Sequence, residues 1–182
     1  MNKPGEEGET EEEKEMDSLK TIGCTANVVM LDYELKKIFV ANAGDSRCVM
    51  GKAGKAVPLS FDHKPDDDIE IKRIEAAGSA IIDGRVDGNL NLTRALGDLK
   101  HKEKENLKPE EQPITANPDV YEYPLEDDID FILMGCDGIW EQFDNDQMVE
   151  WVYKRLGDKP LDADLAEVTK DLLHSQISPD IQ

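Results

Sequence analysis

Two short stretches of this sequence place a carboxylate where it could do chemistry. In each, an apolar run of strand type ends in a glycine and then an aspartate. The first is Ile38-Phe39-Val40-Ala41-Asn42-Ala43-Gly44-Asp45-Ser46-Arg47, and the second is Phe131-Ile132-Leu133-Met134-Gly135-Cys136-Asp137-Gly138. A strand end fixes the position of a carboxylate, and glycine beside it lets backbone and solvent come close. Two such groups converging from separate strands could hold a hard divalent cation, which takes oxygen ligands and keeps several waters. The pattern alone leaves open the plainer reading, that each Asp opens a turn.

The elements that must position these groups follow from hydrophobic spacing. Thr25 to Leu31, Lys37 to Ala43, Arg47 to Met50 and Ala56 to Ser60 read as four strands with the beat of an antiparallel sheet. Pro65 opens a helix over Asp66 to Ala77, with Asp66, Asp67 and Asp68 at the positive end of its dipole. Its stripe is Ile69, Ile71, Ile74 and Ala77, although Ile69 and Ile71 break helical spacing. Short strands are expected at Ala80 to Ile82 and Leu90 to Leu92, and another at Val120 to Tyr123. The continuous apolar run Asp130 to Gly135 reads as a strand buried on both faces. Asp144 caps a helix running to Gly157, with Met148, Val149, Val152 and Leu156 inward. A second helix spans Leu161 to Ser175 through Leu165, Val168, Leu172 and Leu173. Residues 99–118 are charged, hold three prolines and read as a functional surface loop. Strands that are not interleaved with helices predict an α+β fold with antiparallel sheets.

Composition narrows the function classes. The formal net charge is -20 over 182 residues. That excludes nucleic-acid binding through a basic surface, because phosphate neutralisation needs Lys and Arg. It suits a chain that binds cations. Residues 1–18 are almost wholly acidic and polar before Met16, and read as a disordered tail or acidic insert. No apolar run is long enough to span a membrane. Cys24, Cys48 and Cys136 form no Cys-x-x-Cys pair, so neither a zinc site nor a disulfide scaffold is expected, and all three read as buried free thiols. A reducing, intracellular compartment fits, cytoplasmic or nuclear.

Eight ordered blocks carry a resemblance. They are Gly23-Cys24-Thr25-Ala26, Ala41 to Arg47, Asp62-His63-Lys64-Pro65 and Arg73-Ile74-Glu75-Ala76-Ala77-Gly78. Further on come Gly84-Arg85-Val86, Leu92-Thr93-Arg94-Ala95-Leu96-Gly97-Asp98, Asn117-Pro118-Asp119 and Cys136-Asp137-Gly138-Ile139-Trp140-Glu141. In order and spacing the chain resembles the metal-dependent type 2C serine/threonine phosphatases, over residues 21–157. The resemblance implies a β-sandwich of two antiparallel sheets flanked by helices. It also implies two Mn or Mg ions at one end with a third, weaker one beside them, and hydrolysis of phosphoserine and phosphothreonine in protein substrates by a metal-activated water. A monomer is expected.

Carried over residue by residue, Asp137 matches the carboxylate that ligates the core ions, with Gly138 beside it. Asp45 matches a ligand of a third, weaker ion. Glu141 stands where the family usually has Asp, which is one methylene shorter, so the third-ion site departs from the family's pattern there. His63 reads as a hydrogen-bonded structural histidine and Asp98 as a backbone-bonding residue. Residues 99–118 match the flap beside the substrate cleft, within a partial catalytic domain at 19–182. The acidic stretch before Gly23 resembles the insert of gamma-type, often nuclear, members.

The family's early Asp-Gly-His-Gly-Gly and late Asp-Asn-Met-Thr motifs are absent from the sequence. The chain is therefore expected to be a fragment that binds metal weakly and is weakly active or inactive alone. The alternative is a pseudophosphatase, an interaction module that kept the fold. A calcium loop at Asp144-Asn145-Asp146 lacks the required Gly and terminal Glu, so capping is the better reading there. A cysteine hydrolase through Cys136 lacks a paired base.

Overall fold

A computed structural model describes residues 10–157 and 163–177. The chain divides into two compact units, Ala26–Asp62 with the residues from Pro118 onward, and His63–Asn117 with those up to Thr25.

In the His63–Asn117 unit, helix α1 (Glu11–Leu19) leads into β1 (Gly23–Cys24). The helix corrects the expectation of a disordered tail over residues 11–18; residues 1–9 lie outside the described residues. The turn after the helix is tied to the strand that follows residue 95. Asp98 N donates to Ile22 O and Lys100 N to Lys20 O, while Lys20 pairs with Glu103 at 2.5 Å and Lys100 with Asp17 at 3.6 Å. These contacts supply the anchoring that composition alone could not.

The Ala26–Asp62 unit holds the two main sheets. β2 (Ala26–Asp32), β3 (Lys37–Ala43), β4 (Arg47–Lys52) and β5 (Lys55–Pro58) follow in sequence. The other unit continues with α2 (Asp68–Ala76), β6 (Ile81–Ile82), β7 (Arg85–Val86) and β8 (Leu96–Gly97). The chain then returns with β9 (Asp119–Pro124), β10 (Ile129–Gly135), the short α3 (Asp137–Trp140), α4 (Asn145–Leu156) and α5 (Leu165–Gln176). One sheet has the order β2-β3-β9 and the other β10-β4-β5, both antiparallel.

Alternation along the strands builds the core between these sheets. Ile38 and Val40 of β3 meet Cys48 and Met50 of β4 and Leu59 in one buried cluster. Val49, pointing the other way from β4, joins Trp140, Met148, Val149 and Leu172, so α4 and α5 cover the outer face of that sheet. The predicted inward face of α4 is observed: Met148, Val149, Val152 and Leu156 are all buried. Asp144 caps this helix with a reciprocal box to Gln147, the capping role expected for it. α5 begins at Leu165, capped by Asp164, and buries only Leu172; Leu165 and Leu173 are exposed, contrary to the expected face.

β10 packs on both faces, Ile129 and Ile132 to one side and Phe131 and Leu133 to the other. Among the described residues it is nevertheless a sheet edge, with none of its residues fully buried and Met134 43% exposed. That corrects the fully buried strand expected from its apolar run. Gly51, paired with Phe131, leaves room for the ring: a Cβ there would meet it at 2.5 Å.

In the other unit, Ile74, Val86, Ala95 and Ile114 form a separate core. Here the α2 stripe is corrected. Ile69 is 69% exposed, and the inward positions are Glu70, Ile74 and Ala77, which have true helical spacing. The strand expected at Leu90 to Leu92 is replaced by β7, which pairs with β6. The loop 99–118 is not wholly a surface loop, since Gln112, Ile114 and Thr115 are buried. Arg73 donates to the carbonyls of Gln112 and Pro113, and Gln112 bonds both the N–H and the carbonyl of Lys104.

Candidate metal centre

Register brings the two sequence-selected carboxylates to one end of one sheet. The last pair between β10 and β4 is Gly135 opposite Arg47. Asp137 lies two residues beyond Gly135, and Asp45 two residues before Arg47. In an antiparallel pair those steps leave the sheet in the same direction. The two aspartates therefore stand past the same end of neighbouring strands, although 92 positions separate them in sequence.

Asp137 starts α3. It is half-buried, and its Oδ1 accepts from the Gly138 N–H at 2.9 Å. The turn is closed behind it by Trp140 Nε1, which donates to Gly135 O at 3.0 Å. Gly135 is tight, because a Cβ there would meet Ile139 at 3.1 Å, whereas Gly138 is open, with nothing within 4 Å. Glu141 is exposed and follows Asp137 by one helical turn, which puts both carboxylates on one side of α3.

Asp45 is 3% exposed. It follows Gly44, whose φ of 118° is a conformation that favours glycine. A lattice of amides and a hydroxyl holds this turn. Asn42 Nδ2 donates to the carbonyls of Gly44 and Phe61. Asn27 Nδ2 donates to Asn42 Oδ1 and to Ser60 Oγ, which in turn accepts from the Cys48 N–H.

Arg47 is a structural residue that the sequence did not single out. Its Nε and Nη2 donate to Asp62 at 2.9 and 2.8 Å, and its Nη1 to Asn145 at 2.9 Å. The guanidinium lies 5.3 Å from the Trp140 ring centroid. The planar fork suits both the bidentate pairing and the stacking. One side chain thus ties the Asp45 turn, the Asp62 segment, α3 and the start of α4 together. The quoted motifs hold Arg47 and its three partners, but nothing in one sequence pairs positions 98 apart.

The remaining sequence-selected residues have surroundings of their own. His63 is 2% exposed. Asp98 has a left-handed backbone, φ 48°, and its carboxylate packs against Gly23, where a Cβ would meet Oδ2 at 2.0 Å. Cys48 is buried as expected, and burial pushes its thiol up to about 12; Cys24 and Cys136 are exposed, which corrects the expectation for them.

The two aspartates fit a hard cation in kind, being carboxylate donors past one end of the sheet. Among the described residues, however, no group of three or more His, Cys, Asp or Glu side chains is placed to hold a metal ion. The described residues thus do not by themselves provide the full set of oxygen ligands that a hard cation takes.

Comparison with known proteins decides the family. The sequence matches the family model for Protein phosphatase 2C over residues 4–180. The chain belongs to the protein phosphatase 2C family. It is 42% identical to human Protein phosphatase 1G over 99% of its own length and 32% of that protein. It is 50% identical to Probable protein phosphatase 2C 6 of Paramecium tetraurelia, over 77% of the chain and 47% of that protein. The chain spans about a third to a half of the length of these protein phosphatase 2C relatives. Among solved structures, a C. elegans sex determining protein superposes with a TM-score of 0.76 at 29% identity, covering 90% of this chain and 38% of that one. A phosphatase from Toxoplasma gondii superposes with a TM-score of 0.69 at 27% identity, over 86% and 58%. The protein phosphatase 2C fold, α+β with antiparallel sheets, agrees with the architecture expected from the strand pattern.

Proposed function

We propose that this chain is part of a divalent-metal-dependent phosphatase that hydrolyses phosphoserine and phosphothreonine in proteins, with Asp137 as a ligand of the core ions. The observation that supports this best is the shared sheet end of Asp45 and Asp137, set by the β4–β10 register. Asp137 and the Gly138 backbone would face Mn2+ or Mg2+, and Asp45 with Glu141 would hold a further, weaker ion. The ions, when bound, supply Lewis acidity to an attacking water and to phosphate oxygens. The chain's own contribution is positioning. The Gly138 N–H orients one oxygen of Asp137, and Arg47 fixes the turn that carries Asp45. An intracellular, monomeric protein with phosphoprotein substrates belongs to the same proposal, consistent with three free cysteines.

The incomplete donor set supports a companion statement: by itself this chain binds metal weakly and turns over slowly. In calorimetric titration, Mn2+ should bind with a Kd weaker than about 100 μM, at or below about 5.5 kcal/mol of binding free energy. A submicromolar site would overturn that. The main test is manganese-dependent hydrolysis of a phosphothreonine peptide by a full-length protein that contains this sequence. Asp137→Asn should lower kcat at least about a hundredfold, roughly 2.7 kcal/mol of barrier. Full turnover by that variant would remove Asp137 from the mechanism. Absent metal-dependent turnover in the unaltered protein would favour the interaction-module reading.

A further inference from the structure

Helix α3 is a single turn, Asp137–Trp140, and one turn does not hold itself. Helix nucleation is unfavourable, and isolated helices shorter than about 12 residues are marginal. The position of Glu141, which follows that turn, is therefore set by tertiary anchors on either side of it. Before it stands Trp140, which is buried against Val49, Met148 and Val149. After it stands Asn145, the first residue of α4. Arg47 touches both. Its guanidinium lies 5.3 Å from the Trp140 ring centroid, and its Nη1 donates to Asn145 Oδ1 at 2.9 Å.

The same residue stands two positions after Asp45. It opens β4, and both oxygens of Asp62 accept from its fork. The two side chains are only 25% and 15% exposed, so this pair is a fixed, bidentate contact. Asn42 holds the Gly44 side of the Asp45 turn, and Arg47 holds the other side. One guanidinium thus fixes the backbone that carries Asp45 and the backbone that carries Glu141. Asp137 is held by other means. It follows β10, whose register with β4 is made by backbone pairing. Trp140 Nε1 closes its turn onto Gly135 O, and the Gly138 N–H orients its carboxylate. None of these bonds uses the Arg47 side chain.

We propose that Arg47 is a positioning residue for the weaker ion, which sets that ion's affinity by holding both of its acids and leaves the core site at Asp137 almost unaffected. The proposal rests on the reading that Asp45 and Glu141 hold the weaker ion. Glu141 makes the anchor matter more, because a glutamate has one more rotor to order than an aspartate. Charge gives the opposite expectation. A guanidinium near a cation site repels the cation, and removing it also frees the charge of Asp62. Electrostatics alone would therefore tighten cation binding when Arg47 is neutralised. A loss of affinity reports lost geometry.

The test is Mn2+ binding to a full-length protein that contains this sequence, followed through the electron paramagnetic resonance signal of the free ion. The unaltered protein should show a tight and a weak class of bound ion. Arg47→Gln should weaken the weak class at least about tenfold, about 1.4 kcal/mol, and the tight class less than about threefold. Asn145→Ala removes one anchor, keeps the Asp144 cap, and should weaken the weak class about threefold. Circular dichroism at the assay temperature checks the fold of both, and Asn145→Ala decides alone if Arg47→Gln does not fold. Asp137→Asn and Asp45→Asn should remove the tight and the weak class respectively. If they do so while Arg47→Gln and Asn145→Ala bind Mn2+ like the unaltered protein, the role of Arg47 is refuted and the ion assignment stands. Tighter weak-class binding in Arg47→Gln, or an equal loss in both classes, would also overturn it. If Asp45→Asn leaves the weak class intact, the ion assignment falls and the inference falls with it.

Discussion

Replacing Glu70 should destabilise the His63–Asn117 unit more than any exposed substitution in it. Glu70 is fully buried on α2, and four donors converge on its carboxylate. Arg94 reaches Oε1 from Nη2 at 2.7 Å and from Nε at 3.1 Å. Arg73 reaches Oε2 at 2.7 Å and Thr93 Oγ1 at 2.5 Å. Glu70→Ala leaves two guanidinium groups that are almost wholly buried without their counter-charge. Breaking a buried pair from one side costs about 3–5 kcal/mol, because the remaining charge is neither solvated nor paired. Against a domain stability of about 5–15 kcal/mol, that is a third or more of the total. Glu70→Gln preserves shape but loses charge-assisted bonds, and should cost about 1.5–3 kcal/mol. The assay is urea denaturation at pH 7 followed by circular dichroism, with hydrogen exchange at residues 112–117. Arg73 and Arg94 donate to carbonyls in that stretch, so its protection should fall with the network. If Glu70→Ala unfolded within about 1 kcal/mol of the unaltered protein, the measurement error of such curves, the network would not be holding this unit.

Acidification gives an independent reading of the same network. Burial by itself would raise the Glu70 pKa, but the hydrogen bonds from Arg94 and Thr93 and the charge of Arg73 outweigh it. The net position is below the ordinary 4.5. A carboxyl depressed in the folded state contributes its full stability above the unfolded pKa. That contribution is lost as pH falls from 4.5 through the folded value. Unfolding free energy should therefore drop more steeply below about pH 4.5 in the unaltered protein than in Glu70→Gln.

Two further predictions concern the other unit. Arg47→Lys should cost about 1–3 kcal/mol, because a lysine cannot keep the bidentate pair with Asp62, the bond to Asn145 and the stacking on Trp140 together; a loss under about 0.5 kcal/mol in thermal unfolding would refute that. Burial pushes the Cys48 thiol up to about 12, so iodoacetamide at pH 8 should label Cys24 and Cys136 and leave Cys48 unmodified until urea is added. Peptide mass mapping reads the outcome, and labelling of folded Cys48 at the rate of Cys24 would contradict it.

Much was legible in the sequence because it is local. The alternation of Lys37 to Ala43, the stripe of Met148, Val149, Val152 and Leu156, and the Asp144 cap are properties of single elements, and each appears in the structure at or within a residue or two of its expected place. The two Gly-Asp strand ends were readable for the same reason: a glycine and a carboxylate after an apolar run need no distant partner to be recognised. What the sequence could not decide depended on partners far along the chain. Only register across β4 and β10 puts Asp45 and Asp137 at one sheet end. Only the fold brings Asp62, Trp140 and Asn145 to Arg47. Glu70 was read past because a charged residue in an apolar stripe looks like an exposed one; its counter-charge, Arg94, lies 24 positions away. Periodicity reports which face of an element turns inward, while the groups that make a buried charge tolerable come from whichever segment the chain packs against it, and that choice is made in three dimensions.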